Sequence, residues 1–466
     1  MVSLGIFMLV ISSVFSLFFG GQKFSLDGAT AEVATEYGIE GIDAVRSIAD
    51  RGWADLATGT HGLVFASGDW YFASTAANDT KGIYTRSVTV TEIDDNTRKA
   101  STTIQWTSDL ARPQTVEVAE ILTNWKYPLS GGCVSYPLSG NWAAPQLLGE
   151  VDIGAGISGS DVAINYPYAF VSGKSSTSNK HDIFSFDVSN PASPTLLNSL
   201  DIGSGGIEDL HLQGKYLYAA SPNDSRELII FDVSNPSAMV KVGEYDLTGT
   251  SNALAVFTFP NASTTAIGRT DSAVNELEFF NISNPASPSS IFATTTGGDI
   301  EDFYVNNDTL YLVSQQSDPD IWWFDISGAI PVLNDTYDIT GTTEDVSIWL
   351  QNKDGLANLF VGNENNDEIR IIGTYSSTTG GFYVRDIYSV GGDVLDIICA
   401  EGDLGFLATG NANKEFVIVD ASNPDNMTEY ASLNLSNVAT GIDYADNRVY
   451  VAVRSNDALK IIGPGP

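Results

Sequence analysis

A short motif recurs along the last two thirds of the chain, and it constrains the fold more than any other feature of the sequence. Each copy ends an apolar stretch with an anchor residue, and a Ser-Asn-Pro turn often follows. The anchors are Asp187, Asp232, Asn281, Asp325, Gly373, Asp420 and Gly463, and their spacing is 43 to 49 residues. Seven units of that length, each with about four short strands, predict an all-β, seven-bladed β-propeller over residues 147–466.

The strand order within a unit predicts how the ring closes. In the first complete unit, residues 196–202 form an opening strand, and residues 208–214 form the inner strand. The last unit ends at residues 458–462, one strand short of four, whereas the first unit has a spare opening strand at residues 147–153. Pairing these two segments satisfies both open edges, so we expect closure by strand exchange.

The N-terminal segment has a different character. Residues 1–21 contain no charged side chain, and a helix of that length spans about 30 Å, enough to cross a bilayer core. From Asp27 the pattern becomes amphipathic. Its apolar stripe consists of Val33, Tyr37, Gly41, Val45 and Ala49. We predict one long helix over residues 1–52; the alternative is a cleaved signal peptide, for which a basic n-region is missing.

Two further segments connect the helix to the propeller. Residues 53–126 alternate short β-rich runs with turn signals, which predicts a small antiparallel sheet that buries one face on the helix. Residues 127–146 are rich in Pro, Gly and Ser. We therefore predict an interdomain linker there.

The N-terminal third resembles type IV pilins in a series of motifs. Residues 36–53 read EYGIEGIDAVRSIADRGW, which is similar to the amphipathic part of the pilin helix. The other matching motifs are Gly59-Thr60-His61-Gly62-Leu63, Tyr84-Thr85-Arg86 and Leu122-Thr123-Asn124-Trp125. The likeness covers about residues 1–126, and it departs from the family at Gly5, where mature pilins normally have a glutamate.

This resemblance implies an α+β module that polymerises through its helix. The side chains expected in the filament core are Leu4, Ile6, Phe7, Leu9, Val10, Val14, Phe15, Leu17 and Phe18. The implied partners are copies of the same chain in a helical filament and the type IV pilus assembly machinery. The implied location is the cytoplasmic membrane before assembly and an extracellular filament on the cell surface afterwards.

Residues 147–466 resemble LVIVD-repeat propellers, which are named after a strand like Phe416-Val417-Ile418-Val419-Asp420. Members of that family are commonly extracellular and mostly lack a known catalytic centre. The resemblance therefore implies the fold, and it implies neither a cofactor nor a particular activity.

Six units place an aspartate at the start of the predicted inner strand, next to the central channel. These are Asp161, Asp209, Asp302, Asp345, Asp396 and Asp443. One interpretation is a ring that binds a cation such as Ca²⁺, which takes several oxygen ligands. The other is that each carboxylate caps a turn or binds backbone N–H groups of the neighbouring blade. We prefer the second interpretation because the pattern follows the repeat.

Three Glu-Asp pairs are compatible with the paired carboxylates of a glycosidase, namely Glu208-Asp209, Glu301-Asp302 and Glu344-Asp345. They recur once per unit, which favours a structural role. The sequence contains no motif for a serine nucleophile, a zinc protease or a phosphate-binding loop. We therefore predict no catalysis and no cofactor.

Two kinds of covalent modification are open from the sequence. Cys133 and Cys399 either bond to each other or remain free, and the apolar strand around Cys399 favours a buried free thiol. Candidate N-glycosylation acceptors are Asn78, Asn223, Asn261, Asn307, Asn334, Asn426 and Asn434. Asn281 also matches the pattern, but it replaces an anchor aspartate and is expected to be structural.

The negative net charge of the chain excludes one class of function. The chain has 58 acidic and 22 basic side chains, a formal charge of −36. Such a surface repels nucleic acids. We predict a structural subunit of a type IV pilus-like filament that displays its propeller for adhesion to an unknown surface ligand. The alternatives are a binding propeller on a single-span membrane anchor and a secreted propeller enzyme.

Overall fold

The computed structural model describes most of the chain after residue 29. The described ranges are 30–49, 56–66, 69–73, 78–94, 97–107, 112–123, 138–175, 179–203, 205–259, 263–270, 275–306, 308–315, 319–328, 330–339, 344–353, 356–364, 368–374, 381–398 and 403–466. They belong to two compact units, residues 1–127 and 128–466. The predicted helix core in residues 1–21 lies outside these ranges. Within them, no helix is sufficiently long and apolar to span a membrane.

In the first unit, helix α1 (residues 30–49) lies on an antiparallel sheet. The strands of this unit are β1 (Gly59–His61), β2 (Leu63–Ala66), β3 (Asp69–Phe72), β4 (Asp79–Lys81), β5 (Tyr84–Asp94), β6 (Thr97–Thr107) and β7 (Pro113–Thr123). The sheet order is β1-β5-β6-β7 with β4 beside β5, and β2 pairs with β3 in a separate hairpin. The predicted β-strands are present, and the likeness to pilins stays a prediction.

Helix α1 buries one face at the spacing of an amphipathic helix. The buried residues on that face include Ala34, Tyr37, Ile42, Val45 and Ile48. Gly41 lets the helix approach closely, since a Cβ there would lie 2.6 Å from Thr102 Cγ2. The predicted stripe is wrong at Val33, which is 47% exposed because the buried face runs through Ala34 instead.

Polar contacts fix the helix on the sheet. The Arg86 guanidinium is buried, lies 4.0 Å from the centre of the Tyr37 ring and pairs with Asp79 through Nη2–Oδ1 at 3.0 Å. The Tyr37 hydroxyl donates a hydrogen bond to the same carboxylate. Burial and this bond raise the pKa of Tyr37.

Two charged side chains of helix α1 pair with the sheet of the same unit. Arg46 Nη2 lies 2.7 Å from Glu120 Oε2, and Glu40 Oε2 lies 3.1 Å from Lys81 Nζ. These exposed pairs add to the contacts that hold α1 on the sheet.

The second unit consists of short strands throughout its length. They are β8 (Asn141–Val151), β9 (Ser158–Asn165), β10 (Tyr168–Lys174), β11 (Ile183–Asp187), β12 (Thr195–Leu200), β13 (Asp209–Gln213), β14 (Tyr216–Ala220), β15 (Leu228–Asp232), β16 (Val240–Tyr245), β17 (Ala253–Thr258), β18 (Thr264–Arg269), β19 (Leu277–Asn281), β20 (Ser289–Thr294), β21 (Asp299–Asn306), β22 (Thr309–Gln315), β23 (Ile321–Asp325), β24 (Val332–Tyr337), β25 (Asp345–Lys353), β26 (Leu356–Asn363), β27 (Glu368–Thr374), β28 (Phe382–Ser389), β29 (Val394–Ile398), β30 (Leu404–Thr409), β31 (Phe416–Asp420), β32 (Thr428–Leu433), β33 (Ala439–Ala445), β34 (Arg448–Val453) and β35 (Leu459–Gly465).

Seven four-stranded antiparallel sheets form the blades within the described part of this unit. In blades 1 to 6, four consecutive strands run from the innermost to the outermost, starting with β9-β10-β11-β12 and ending with β29-β30-β31-β32. Blade 7 is β33-β34-β35 with β8 as its outer strand. The prediction of a propeller is confirmed.

The predicted closure by strand exchange is also confirmed. β8 pairs antiparallel with β35, from Leu459 opposite Val151 to Gly465 opposite Asn141. The strand begins at Asn141, so the predicted linker of 127–146 is wrong for its last six residues. Trp142 explains the difference, because it is buried and lies 4.9 Å from the ring of Phe406. The Pro and Gly content of residues 127–146 indicated a linker, although the segment includes the start of a strand with a buried side chain.

The five anchors that are aspartate or asparagine act as turn caps at the end of the third strand of their blade. Their Oδ1 atoms accept the backbone N–H two residues later, at 2.9 Å from Asp187 to Ser189, 2.9 Å from Asp232 to Ser234, 2.9 Å from Asn281 to Ser283, 2.8 Å from Asp325 to Ser327 and 2.9 Å from Asp420 to Ser422. These are Asx turns, which an asparagine forms as well as an aspartate. The structural role expected for Asn281 is confirmed.

A second set of acids, which the sequence analysis missed, precedes the third strand in blades 1, 2, 3, 4 and 6. These side chains are buried and accept a backbone N–H beyond the outer strand of the same blade. The pairs are Asp182 with Ile202, Glu227 with Leu247, Glu276 with Thr296, Asp320 with Ile339 and Glu415 with Leu435. The signal was available as an acid five residues before the anchor in each of these blades. It fixes the outer strand to the blade.

Candidate functional site

The inner strands β9, β13, β17, β21, β25, β29 and β33 surround a central channel. Each contacts the next, and β33 contacts β9. In five of them a β-bulge interrupts pairing with the second strand at one shared place. The bulged residues are Leu254, Glu301, Val346, Leu395 and Thr440. Bulges redirect side chains, and all five line the same end of the channel. We call this end the bulge mouth.

Five of the six predicted aspartates border the middle of the channel, and we call them the ring. Asp302 and Asp396 directly follow the bulged residues of their strands, whereas Asp443 lies three residues after the bulged Thr440 and is therefore one layer further from the bulge mouth. Each accepts a hydrogen bond from a backbone N–H of the next blade. The Oδ2 to N distances are 2.9 Å from Asp161 to Leu210, 2.7 Å from Asp209 to Val256, 2.8 Å from Asp302 to Ile348, 2.8 Å from Asp396 to Ile442 and 2.8 Å from Asp443 to Ile164. Asp443 in blade 7 therefore links back to blade 1.

The other oxygen of most ring carboxylates is also occupied. Oδ1 of Asp209, Asp302, Asp396 and Asp443 accepts the N–H of the following residue at 2.6 to 2.8 Å. This arrangement agrees with the interpretation that the aspartates bind neighbouring backbone. Within the described residues, no group of three or more His, Cys, Asp or Glu side chains is placed to hold a metal ion.

Asp345 does not belong to the ring. The residue before the Ile348 N–H that Asp302 binds is Ser347, whose Oγ donates to Val394 O at 3.1 Å. Asp345 lies two residues earlier, is fully buried and accepts a bond from Asn363 Nδ2 at 3.1 Å. Burial raises its pKa to about 6. The prediction that Asp345 borders the channel is therefore wrong, because Asp345 precedes the bulged residue of its strand, whereas Asp302 and Asp396 follow the bulged residues of theirs.

Burial raises the pKa of the ring carboxyls, to about 8 at Asp396 and about 7 at Asp443. At Asp161, repulsion by Asp209 adds to burial, and a hydrogen bond between these two carboxyls favours a proton on Asp161. The bonds from backbone N–H groups act in the opposite direction. The ring therefore retains protons at neutral pH and carries less negative charge than five carboxylates would suggest.

Charged side chains of opposite sign face one another in the bulge mouth. Lys174 ends β10 in blade 1, and Arg454 follows β34 in the adjacent blade 7. Glu301 belongs to blade 4, and Glu364 follows β26 in blade 5. In a ring of seven, blade 4 lies opposite the junction of blades 7 and 1, and blade 5 is next to blade 4. The two cations and the two carboxylates thus border a cavity of about 330 Å³ from opposite sides.

The environment shifts the charges of the bulge mouth toward neutrality. Burial, together with repulsion by Arg454, lowers the pKa of Lys174 to about 8. Burial, together with repulsion by Asp299 and Glu364, raises the pKa of Glu301 to about 8. Lys174 forms an ion pair with Glu208 of blade 2.

The opposite end of the channel, the aromatic mouth, is lined by rings. Residues here include Tyr166, His211, Phe257, Tyr304, Trp349 and Tyr444, around a cavity of about 230 Å³. His211 Nδ1 accepts the Thr258 N–H at 3.2 Å, and burial lowers the pKa of this histidine to about 4. The imidazole is therefore neutral at pH 7. Its ring centre lies 4.2 Å from that of Phe257.

The remaining predicted sites are on the surface or outside the described residues. Asn78, Asn334, Asn426 and Asn434 are exposed, so their glycosylation stays a prediction. Asn223 is half-buried and accepts the Ser225 N–H through Oδ1 at 3.1 Å. Asn261, Asn307, Cys133 and Cys399 lie outside the described residues.

Sequence reasoning identified the ring but missed most of the bulge mouth. Lys174, Glu364 and Arg454 follow or end second strands, a position to which the analysis assigned no role. Glu208 and Glu301 were noticed only as partners of Asp209 and Asp302. The available signal was the residue at the bulge position of each unit, which changes between Ser160, Glu208, Leu254, Glu301, Val346, Leu395 and Thr440.

The fold and the ring of inner strands define a β-propeller, and comparison with solved structures agrees. Similar chains include the β-propeller domain of Myceliophteria thermophila Cps50 (Swd1), at 11% identity and a TM-score of 0.53, covering 69% of this chain and 100% of that one. Virginiamycin B lyase from Staphylococcus aureus is similar at 14% identity and a TM-score of 0.53, covering 69% and 99%. A Lactobacillus plantarum protein matches at 13% identity and a TM-score of 0.55, covering 63% and 91%. Such identities show the fold alone.

Residues 158–202, 204–247 and 392–434 match the family model described as LVIVD repeat. The chain thus carries LVIVD repeats on a β-propeller fold. Curated proteins give no significant match to this sequence.

Proposed function

We propose that this chain is a non-catalytic structural subunit of an extracellular, type IV pilus-like filament. Residues 1–52 hold copies together, and the propeller is displayed outside as a binding module for surface interaction. The partners are other copies of the chain and the machinery that assembles them.

The outer surface of the first unit carries the proposal. Helix α1 uses one face to cover its own sheet, yet Ile39 is 48% exposed on the other side. Phe65, Ile83 and Ile121 of the same unit are each about 60% exposed. These exposed large apolar side chains are available for contact with another protein surface. The uncharged segment 1–21 precedes this helix in sequence and requires lipid or a packed neighbour.

The charge distribution supports separate roles for the two units. Residues 128–466 carry 43 of the 58 acidic side chains but only 13 of the 22 basic ones. Propellers of such charge repel one another at low salt. Contacts between propellers are therefore a poor basis for polymerisation, whereas display on the outside keeps them apart.

The test is to express the full chain in cells with a type IV assembly system, shear the surface and image the sheared material. Thin filaments containing the chain are expected. Leu9→Lys and Ile39→Lys should abolish them, because each places a charge on a contact surface. Leu196→Lys is the matched control, since this propeller residue is apolar and 54% exposed. It should leave the filaments intact.

Three results contradict the proposal. Full-length protein that remains in the membrane fraction as single copies would indicate a membrane-anchored propeller instead. Filaments that survive Leu9→Lys and Ile39→Lys would place the contacts elsewhere. Loss of filaments in Leu196→Lys alone would assign polymerisation to the propeller.

A further inference from the structure

The bulge mouth holds opposite charges that do not neutralise each other directly. Within the described residues, no carboxylate oxygen lies within 4 Å of the Arg454 guanidinium, and Lys174 has its ion pair with Glu208. Neither Glu301 nor Glu364 has a cation within that distance among the described residues. The electrostatic influence of Lys174 on Glu301 nevertheless reaches across the cavity.

Two carboxyls meet on one side of the mouth and two cations on the other, where Lys174 is already paired with Glu208 and Arg454 is exposed. Arg454 destabilises the charged form of Lys174, and Glu364 destabilises the charged form of Glu301. Glu301 and Glu364 are half-buried without a close cation among the described residues, and such groups lose hydration that nothing replaces. A ligand with a negative group at one end and a positive group at the other relieves both repulsions simultaneously.

Apolar side chains occupy the rim between the two charged sides. The bulged residues of blades 3, 5 and 6 are Leu254, Val346 and Leu395, and they line the same cavity. They offer contacts to methylene groups rather than to charges. At about 330 Å³, the cavity is near the lower limit for small-molecule sites.

We propose that the bulge mouth binds a small zwitterion, a molecule with a carboxylate and a primary ammonium group joined by a short aliphatic chain. Lys174 and Arg454 bind the carboxylate, and Glu364 and Glu301 bind the ammonium group. Glu301 releases its proton to the solvent as the ammonium group binds, because the positive charge then stabilises the carboxylate. Leu254, Val346 and Leu395 contact the chain between them. The site belongs to the propeller alone, so it does not depend on filament formation.

The test is calorimetric titration of the full-length protein in mild detergent at neutral pH. The probes are 5-aminopentanoate, pentanoate, pentylamine and Ca²⁺ alone, and a series from glycine to 6-aminohexanoate measures the best charge separation. We expect one zwitterion to bind at least about tenfold more tightly than pentanoate or pentylamine. Arg454→Gln and Glu301→Gln should each remove this preference.

Two further variants make the result specific. Glu301→Lys reverses one charge, so pentanoate should then bind better than the zwitterion. Lys241→Gln is the control, because it breaks the exposed pair with Glu244 on β16, away from the cavity. It should bind like the unmodified protein. Arg454 is exposed and Glu301 is half-buried, so neither substitution removes a core side chain.

Several outcomes overturn the proposal. No saturable binding by any probe would show that the mouth holds only water. Equal affinity for pentanoate and the zwitterions would indicate an anion site, and Ca²⁺ binding that Glu301→Gln abolishes would indicate a cation site. Zwitterion binding that persists in both Arg454→Gln and Glu301→Gln would place the ligand elsewhere.

Discussion

Replacing Asp396 by asparagine removes one ring carboxyl, so the variant shows how much that carboxyl contributes to the pH dependence of propeller stability. Burial raises the pKa of Asp396 to about 8 in the folded chain, whereas an unfolded aspartate has a pKa of about 3.9. The folded state therefore holds the proton more tightly. The free energy of unfolding falls as pH rises toward the folded-state value, by at most about 1.4 kcal/mol per pH unit for this carboxyl.

The pH range of the measurement must exclude the titration of groups that make the free energy of unfolding rise with pH. Burial lowers the pKa of His211 to about 4, so this residue destabilises the fold only below about pH 6.5. Lys174, with a pKa of about 8, favours the fold as pH rises beyond that value. As pH rises from about 6.5 to 8, the ionisation of Asp396 should thus lower the free energy of unfolding of the original protein by up to about 2 kcal/mol.

The assay is urea unfolding of the full chain at several pH values in this range, followed by tryptophan fluorescence. The plot of unfolding free energy against pH should be less steep for Asp396→Asn by up to about 1.4 kcal/mol per pH unit. Asp187→Asn is the control. Hydrogen bonds from Ser189 lower the pKa of Asp187, so it titrates below the range. Equal slopes for Asp396→Asn and the original protein would refute a protonated ring carboxyl.

Two further predictions concern packing. Gly41→Ala should destabilise the first unit by about 1–3 kcal/mol, because the new Cβ would lie 2.6 Å from Thr102 Cγ2. Glu36→Ala is the control, because Glu36 is an exposed position of the same helix. Helix propensity alone predicts that both variants have a higher melting temperature, so a rise in Gly41→Ala would contradict the prediction. Deleting residues 141–151 should markedly lower the melting temperature of the propeller, because β35 loses its partner. The control Leu147→Ser changes an exposed side chain of the same strand, and an unchanged melting temperature in the deletion would refute the closure.

The repeat predicted the fold well because it encodes local structure. The anchor aspartates form Asx turns within two residues of themselves, so their period reports the period of the blades directly. The closure was predictable for the same reason, since a missing strand at one end and a spare strand at the other need no knowledge of distances. Trp142 shows the limit, because its burial depends on Phe406, far away in sequence.

Register within a strand was harder to predict. Glu344-Asp345 reads like Glu301-Asp302, yet Asp345 precedes the bulge of its strand whereas Asp302 follows it, so the two aspartates have different environments. A repeat is counted in residues, whereas a bulge adds one residue without adding length to the ladder. The bulge mouth could not be predicted from the sequence, because Lys174, Glu364 and Arg454 belong to different blades and come to line one cavity only when the ring of blades is closed.

The closing strand also has a consequence for biosynthesis. Lys460 of β35 pairs with Glu150 of β8 at 2.7 Å, although the two residues are 310 positions apart. At about 5–20 residues per second, roughly 15 to 60 s pass between the synthesis of the one and of the other. During this time β8 has an open edge that any other nascent copy can pair with. Production of this chain should therefore depend on ribosome spacing and on holding chaperones more than that of a propeller whose blades each complete themselves in sequence.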